Sequence, residues 1–315
     1  MLRRRISLLT ALVGIIWVAV YFLGLAISLF VGFSLVVGVA ALFIHYQENI
    51  LYIPVIMGYK TVSDNPEGFR SPAEWGVDFK DFYLGTIDTH SIHGWHIKHP
   101  SPIGTVIFCH ENAGNIGLRV NNLVAMSKRL CVDVVAYDYR GYGFSSGKPT
   151  EEGLILDTDA VYLYVMDVLK ASNVFVYGRS LGGAVALHFA SLLGSRGDGR
   201  LKGVIVENTF TSISDMVGSV FPLLNVDILK KYFLRLKWDT AKALCGVRIP
   251  IMLVSGLQDE IVPASHMASL HKICDRNKLD AEMVVFPQGK HNDTWVVGGS
   301  EYWGSLGVFL KKRIE

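Results

Sequence analysis

From residue 79 to the C-terminus, short β-rich runs alternate with segments of helical periodicity, and this rhythm constrains the fold more than any other feature of the chain. Strands joined by helical crossovers must run parallel, because each crossover carries the chain back to the same end of the sheet. Residues 79–84 and 93–99 have no helix between them and predict an opening antiparallel pair. Further strands are expected at 105–110 (TVIFCH), 132–139 (VDVVAYDY), 173–177 (NVFVY), 203–207 (GVIVE), 250–255 (PIMLVS) and 281–286 (AEMVVF). Helices are expected at 119–130, 151–169, 180–193, 264–273 and 302–312. Near-continuous apolar runs such as TVIF and IMLV suit strands buried on both faces. The predicted fold class is α/β: a mostly parallel, eight-stranded sheet with helices on both faces. The rhythm breaks at residues 208–247, where two or three helical pieces read as a small cap over the mouth of a site.

The N-terminus is built differently. Residues 6–44 contain no Asp, Glu, Lys or Arg, and this run raises the mean hydropathy of the 315-residue chain to +0.34. As one helix, 39 residues would extend about 58 Å, against a hydrocarbon layer of roughly 30 Å. One span with length to spare is favoured over two short spans turning near Gly24 or Gly32. The run is too long for a signal-peptide core and lacks a clear cleavage site. Arg3, Arg4 and Arg5 should remain cytosolic. A single span then sends the rest of the chain out of the cytosol, and two spans would return it. Tyr46, Tyr52 and Tyr59 suit a membrane-interface belt. The expected domains are an anchor at 1–46, a juxtamembrane linker at 47–78 and an α/β domain at 79–315.

Net charge is +2 and no basic stripe follows a predicted helix, so nucleic acid is not an expected partner. The lipid bilayer is. Cys109, Cys131, Cys245 and Cys274 form no metal-ligand spacing and imply no disulfide framework. Cys109 and Cys131 border apolar runs and are expected to be small buried residues.

Gly178-Arg179-Ser180-Leu181-Gly182 matches G-x-S-x-G and stands between a strand and an apolar helix. That context makes Ser180 the candidate nucleophile, on a strained turn whose flanking glycines avoid collision with strand and helix. Serine hydrolases of this architecture order their catalytic groups as Ser, acid, His. Asp259 follows IMLVSGLQ and His291 follows AEMVVFPQGK, each just past a late strand. His291 is therefore the expected base and Asp259 its orienting acid, with Glu260 and Asp293 as rival acids. His266 and His271 read as a solvated helix face, and His188 as a packed histidine. Two main-chain N–H groups should form an oxyanion hole, one from Leu181 and one from the loop after TVIFC, where Asn112 is the candidate. In the turn DYRGYG, Asp138 and Arg140 are expected to pair. The Asn292-Asp293-Thr294 sequon abuts the candidate base and is read as a chance match. No metal or organic cofactor is expected, since these groups suffice for acyl transfer.

Together, HENAGNIG, DYRGYGFSSG, EEGLILD, YGRSLGGAVALH, VENTF, SGLQDEIVP and HNDTW, with FRSPAEWG before the first strand, resemble the branch of the α/β-hydrolase superfamily that contains Bem46 and alpha/beta hydrolase domain-containing protein 13. The resemblance covers residues 47–315. It implies the same triad of Ser180, Asp259 and His291, and an N-terminal membrane anchor. The expected activity is ester or thioester hydrolysis through an acyl-enzyme on Ser180, on a small acyl ester, a lipid or a lipidated protein. A serine peptidase and a catalytically silent scaffold are the alternatives. One departure stands out: the branch has Gly after the loop histidine, and this chain has Glu111. A carboxylate beside an oxyanion hole would oppose the negative charge unless it pointed away.

Overall fold

A computed structural model of the chain describes residues 2–220, 230 and 232–314. It divides into two compact units, Met1–Gln47 and Glu48–Glu315. The first is helix α1, Leu2–His45, which runs without a turn at Gly24 or Gly32. Its segment Leu12–His45 is long and apolar enough to cross a membrane.

The second unit holds one eight-stranded sheet. Its strands are β1 (Phe79–Gly85), β2 (Ser91–Ile97), β3 (Thr105–Cys109), β4 (Asp133–Tyr137), β5 (Val174–Arg179), β6 (Leu201–Glu207), β7 (Ile251–Gly256) and β8 (Ala281–Phe286). They lie in the order β1-β2-β4-β3-β5-β6-β7-β8. β1 pairs antiparallel with β2, and β2 with β4; every other pairing is parallel. The expected antiparallel opening and parallel remainder are both present.

The sheet buries both faces because alternate side chains feed two separate cores. Along β3, Ile107 and Cys109 enter one core while Val106 and Phe108 enter the other. In β5, Val174 and Val176 join the first, Phe175 and Tyr177 the second. Helices α3 (Glu151–Leu163), α4 (Leu181–Arg196) and α5 (Ser265–Arg276) cover the first face; α2 (Val120–Leu130) and α6 (Gly299–Ile314) cover the second. Each fully buried Val, Ile, Leu or Phe contributes about 1.5–3 kcal/mol against exposure, so this two-sided burial dominates the stability of the unit.

Several expectations need correction. The helix predicted over 151–169 is α-helical only to Leu163 and continues as a π-helix over Tyr164–Val168. Cys131 is exposed, because it caps α2 in a left-handed turn (φ 55°) where the chain leaves the helix. His266 is buried at 5% exposure and bonded to Thr211 Oγ1 at 3.0 Å, so α5 presents it to the protein and not to solvent. Within the segment read as a linker, 47–78, short 3-10 helices form at Val62–Asp64 and Pro72–Trp75. In the cap region, helices occupy Ile213–Val220 and Thr240–Leu244. The rest of the cap prediction, at 221–229 and 231, lies outside the described residues.

Candidate active site

Ser180 sits where β5 turns sharply into α4, with φ 56° and ψ −122°. A non-glycine residue rarely adopts this conformation, and holding it costs of order 1–3 kcal/mol. The close fit explains the two glycines of the motif. A Cβ on Gly178 would clash with the carbonyl of Gly182, and a Cβ on Gly182 with the carbonyl of Cys109 at the end of β3. Strand, elbow and helix can approach this closely only with both side chains absent. As the first residue of α4, Leu181 presents an N–H that has no acceptor within the helix.

His291 and Asp259 meet directly. His291 Nδ1 lies 2.8 Å from Asp259 Oδ2, and both side chains are almost wholly buried, at 4% and 1% exposure. A carboxylate can only accept, so Nδ1 carries the proton and Nε2 is left as the basic nitrogen. Asp259 Oδ1 accepts from the N–H groups of Ile261 and Val262 at 2.9 and 2.7 Å, which fixes the acid in its turn. The rival carboxylates are employed elsewhere: Glu260 accepts from the His291 main chain at 3.4 Å and Asp293 from Lys290 N–H at 2.7 Å. Among the described residues, neither Ser180 Oγ nor His291 Nε2 has a hydrogen-bond partner. A hydrogen bond between a serine hydroxyl and a histidine base is commonly long or poorly aligned until substrate binds.

Three consecutive residues at the end of β6 hold the elbow and the histidine loop together. Glu207 O accepts from Ser180 N–H at 2.9 Å, and Thr209 Oγ1 donates to Ser180 O at 2.7 Å. Between them, Asn208 Nδ2 contacts the carbonyls of Lys290 and His291 and the hydroxyl of Thr294 at 3.1–3.2 Å. Asn208 Oδ1 accepts from Gly256 N–H at the end of β7. By sequence, Asn208 is expected at the start of the cap. Its place directly after an apolar strand, inside VENTF, was the available signal.

The loop after β3 begins with His110, whose Nδ1–H donates to Glu111 O at 2.6 Å and whose Nε2 accepts from Tyr139 N–H at 3.4 Å. Complete burial lowers the His110 pKa to about 4, so the ring is neutral. Glu111 is not unpaired. Its Oε2 accepts from Arg119 Nε at 2.7 Å and its Oε1 from Arg179 Nη1 at 3.0 Å. Burial alone would raise this carboxyl, but the two guanidinium groups outweigh it and hold it well below the usual carboxylate range. Arg179 also donates to Glu207 Oε1 at 2.9 Å, to Asn122 Oδ1 and to Tyr177 Oη, and Tyr177 and Tyr302 donate to Glu207 Oε2. Two arginines thus balance two glutamates beneath the elbow. The main-chain N–H of Asn112 donates to no group among the described residues.

Other candidates fall away from this centre. Arg140 pairs with Asp157 and Asp88 and not with Asp138; Asp138 accepts from Ile116 N–H at 2.8 Å and lies 3.5 Å from His93. His188 packs edge-on against Trp238, and burial lowers its pKa to about 4. Burial pushes the Cys109 thiol up to about 12, which makes it a poor nucleophile. No group of three or more His, Cys, Asp or Glu among the described residues could hold a metal ion.

A family model described as the alpha/beta hydrolase fold matches residues 104–237. The chain is 36% identical to the alpha/beta hydrolase domain-containing protein WAV2 of Arabidopsis thaliana, over 90% of this chain and 94% of that one. It is 34% identical to a Saccharomyces cerevisiae protein named as an uncharacterized membrane protein, over 88% and 93%, and 32% identical to protein bem46 of Schizosaccharomyces pombe, over 85% and 87%. Among solved structures, the Pyrococcus furiosus esterase Pf2001 matches with a TM-score of 0.66 at 20% identity, covering 84% of this chain and 99% of that one. At that identity the likeness speaks for the fold alone.

Proposed function

This chain belongs to the α/β-hydrolase family, among its Bem46-like members, and from that membership we propose that it is a membrane-anchored serine hydrolase cleaving carboxylic esters or thioesters. The observation that carries the reading is the strained Ser180 held by Glu207 and Thr209, with the Asp259–His291 pair secured from Asn208 between them.

In the proposed reaction His291 Nε2 takes the Ser180 proton as Oγ attacks the acyl carbon. Asp259 steadies the imidazolium that forms. The N–H groups of Leu181 and Asn112 receive the developing oxyanion. Collapse of the tetrahedral intermediate expels the alcohol or thiol, which takes its proton from His291. Water activated by the same nitrogen then releases the acid from Ser180.

Helix α1 supplies the proposed anchor, with the N-terminal arginines cytosolic and a single span. An anchored site meets acyl groups that partition into the bilayer, which favours lipid or lipidated-protein substrates. The yeast relative named as a membrane protein supports the anchoring. The silent-scaffold alternative rested on Glu111, and the pairing of that carboxylate with two arginines removes its support.

A fluorophosphonate probe should label the full-length protein and fail to label Ser180→Ala. Equal labelling of the two, or no turnover of any acyl ester by the wild-type protein, would refute the proposal.

A further inference from the structure

We propose that the segment following the apolar helix, Glu48–Ile56, is a strap that positions the oxyanion loop, so that the juxtamembrane chain is part of the catalytic unit. This rests on the reading of Asn112 N–H as an oxyanion donor.

The strap holds Asn112 from two sides. Asn112 Nδ2 donates to Leu51 O at 2.9 Å, and Ile53 N–H donates to Asn112 O at 2.9 Å. Gly114 N–H then donates to Ile53 O at 2.8 Å, closing a parallel bridge between Ile53 and Ala113. Tyr142 Oη gives the Asn112 carbonyl a second donor at 2.7 Å. With side chain and carbonyl both held, the backbone of Asn112 is constrained, and with it the direction of its main-chain N–H.

The strap is itself tied to the cap side of the domain. Tyr52 is 2% exposed and its hydroxyl accepts from Trp238 Nε1 at 3.0 Å. Glu48 accepts from Arg235 Nη2 at 2.6 Å. The neighbouring side chains Ile50, Ile53, Val55, Ile56 and Met57 are exposed. Apolar burial holds this stretch through Tyr52 and, in part, Leu51. The main-chain bonds to the oxyanion loop do the rest, and the coupling between strap and loop is mutual.

An oxyanion donor acts only when aimed at the charge that develops in the transition state, and losing one costs about 10²–10³ in rate. A loosened strap should therefore lower kcat and leave KM almost untouched. The test uses the full chain in detergent micelles with a short acyl ester. Ile53→Pro removes the N–H that donates to Asn112. Its kcat should fall ~10–100-fold, with KM and the thermal midpoint close to wild type, while Met57→Ala, at an exposed position outside the strap, should match wild type. An unchanged kcat, or a loss confined to KM, overturns the proposal. Should the proline variant fail to unfold cooperatively, Tyr52→Phe removes a single hydroxyl, and a kcat equal to wild type there overturns it as well. Absence of any Ser180-dependent turnover in the wild-type protein would instead defeat the underlying functional reading. Normal Ser180-dependent turnover in both strap variants defeats the strap alone.

Discussion

Replacing Glu111 with alanine should destabilise the hydrolase domain far more than it perturbs any local turn. The carboxylate is 5% exposed and shared between Arg119 and Arg179, the latter itself only 3% exposed. Removing it leaves Arg119 with no carboxylate partner and Arg179 with Glu207 alone. Deleting one partner of a buried ion pair costs about 3–5 kcal/mol. The lower end applies here, because both arginines keep other acceptors. Arg119 retains Ala113 O at 2.6 Å, and Arg179 retains Glu207, Asn122 and Tyr177. At about 2–4 °C per kcal/mol for a domain of this size, the midpoint should fall by roughly 6–12 °C. Thermal unfolding in detergent measures this directly. The double variant Glu111→Gln/Arg119→Gln restores the charge balance, so its loss should be smaller than the sum of the single losses by ~1 kcal/mol or more. A Glu111→Ala midpoint within 2 °C of wild type, or strict additivity in the cycle, would refute the view that Glu111 serves as the counter-ion of the elbow.

Asn208→Ala should lower kcat by about 10²-fold without displacing Ser180, because it frees the loop that carries His291 while Glu207 O and Thr209 Oγ1 still hold the elbow, and a misplacement near 1 Å can cost that much; steady-state kinetics with an ester decide it. Acid should destabilise the domain through His110 and His188, both depressed to about 4 in the folded state from about 6.5 unfolded. The unfolded chain binds the extra protons, so this stability is fully present above pH ~6.5 and is lost as pH falls toward ~4, by up to about 3 kcal/mol per histidine. His188→Phe should flatten that slope by about one proton in midpoint-against-pH measurements, and an unchanged slope would count against the assignment. Glu111, also depressed in the folded state, adds its own loss as pH falls from the usual carboxylate range downward.

Much of the candidate site was legible because its signals are local. G-x-S-x-G between a strand and a helix marks a turn that only certain residues survive, and the clashes awaiting a Cβ at Gly178 and Gly182 give the steric reason. Asp259 and His291 were legible by chain order, since each stands just past a parallel strand and all such ends share one rim of the sheet. His266 was misread because helical periodicity does not say which loop comes to lie over a helix face. Arg140 was misread because its partners lie 17 and 52 residues away in sequence, where spacing carries no signal.

Alternation of strand and helix, the order of Ser, acid and His, and the charge-free N-terminal run are properties of short windows, and the sequence alone determined them. The tertiary structure decided which distant groups share a hydrogen bond: Asn208 with the His291 loop across 83 residues, Glu111 with Arg179 across 68, Asn112 with Leu51 across 61. Local propensity acts over a few residues, whereas a buried polar group must find its partner wherever the packed chain brings one.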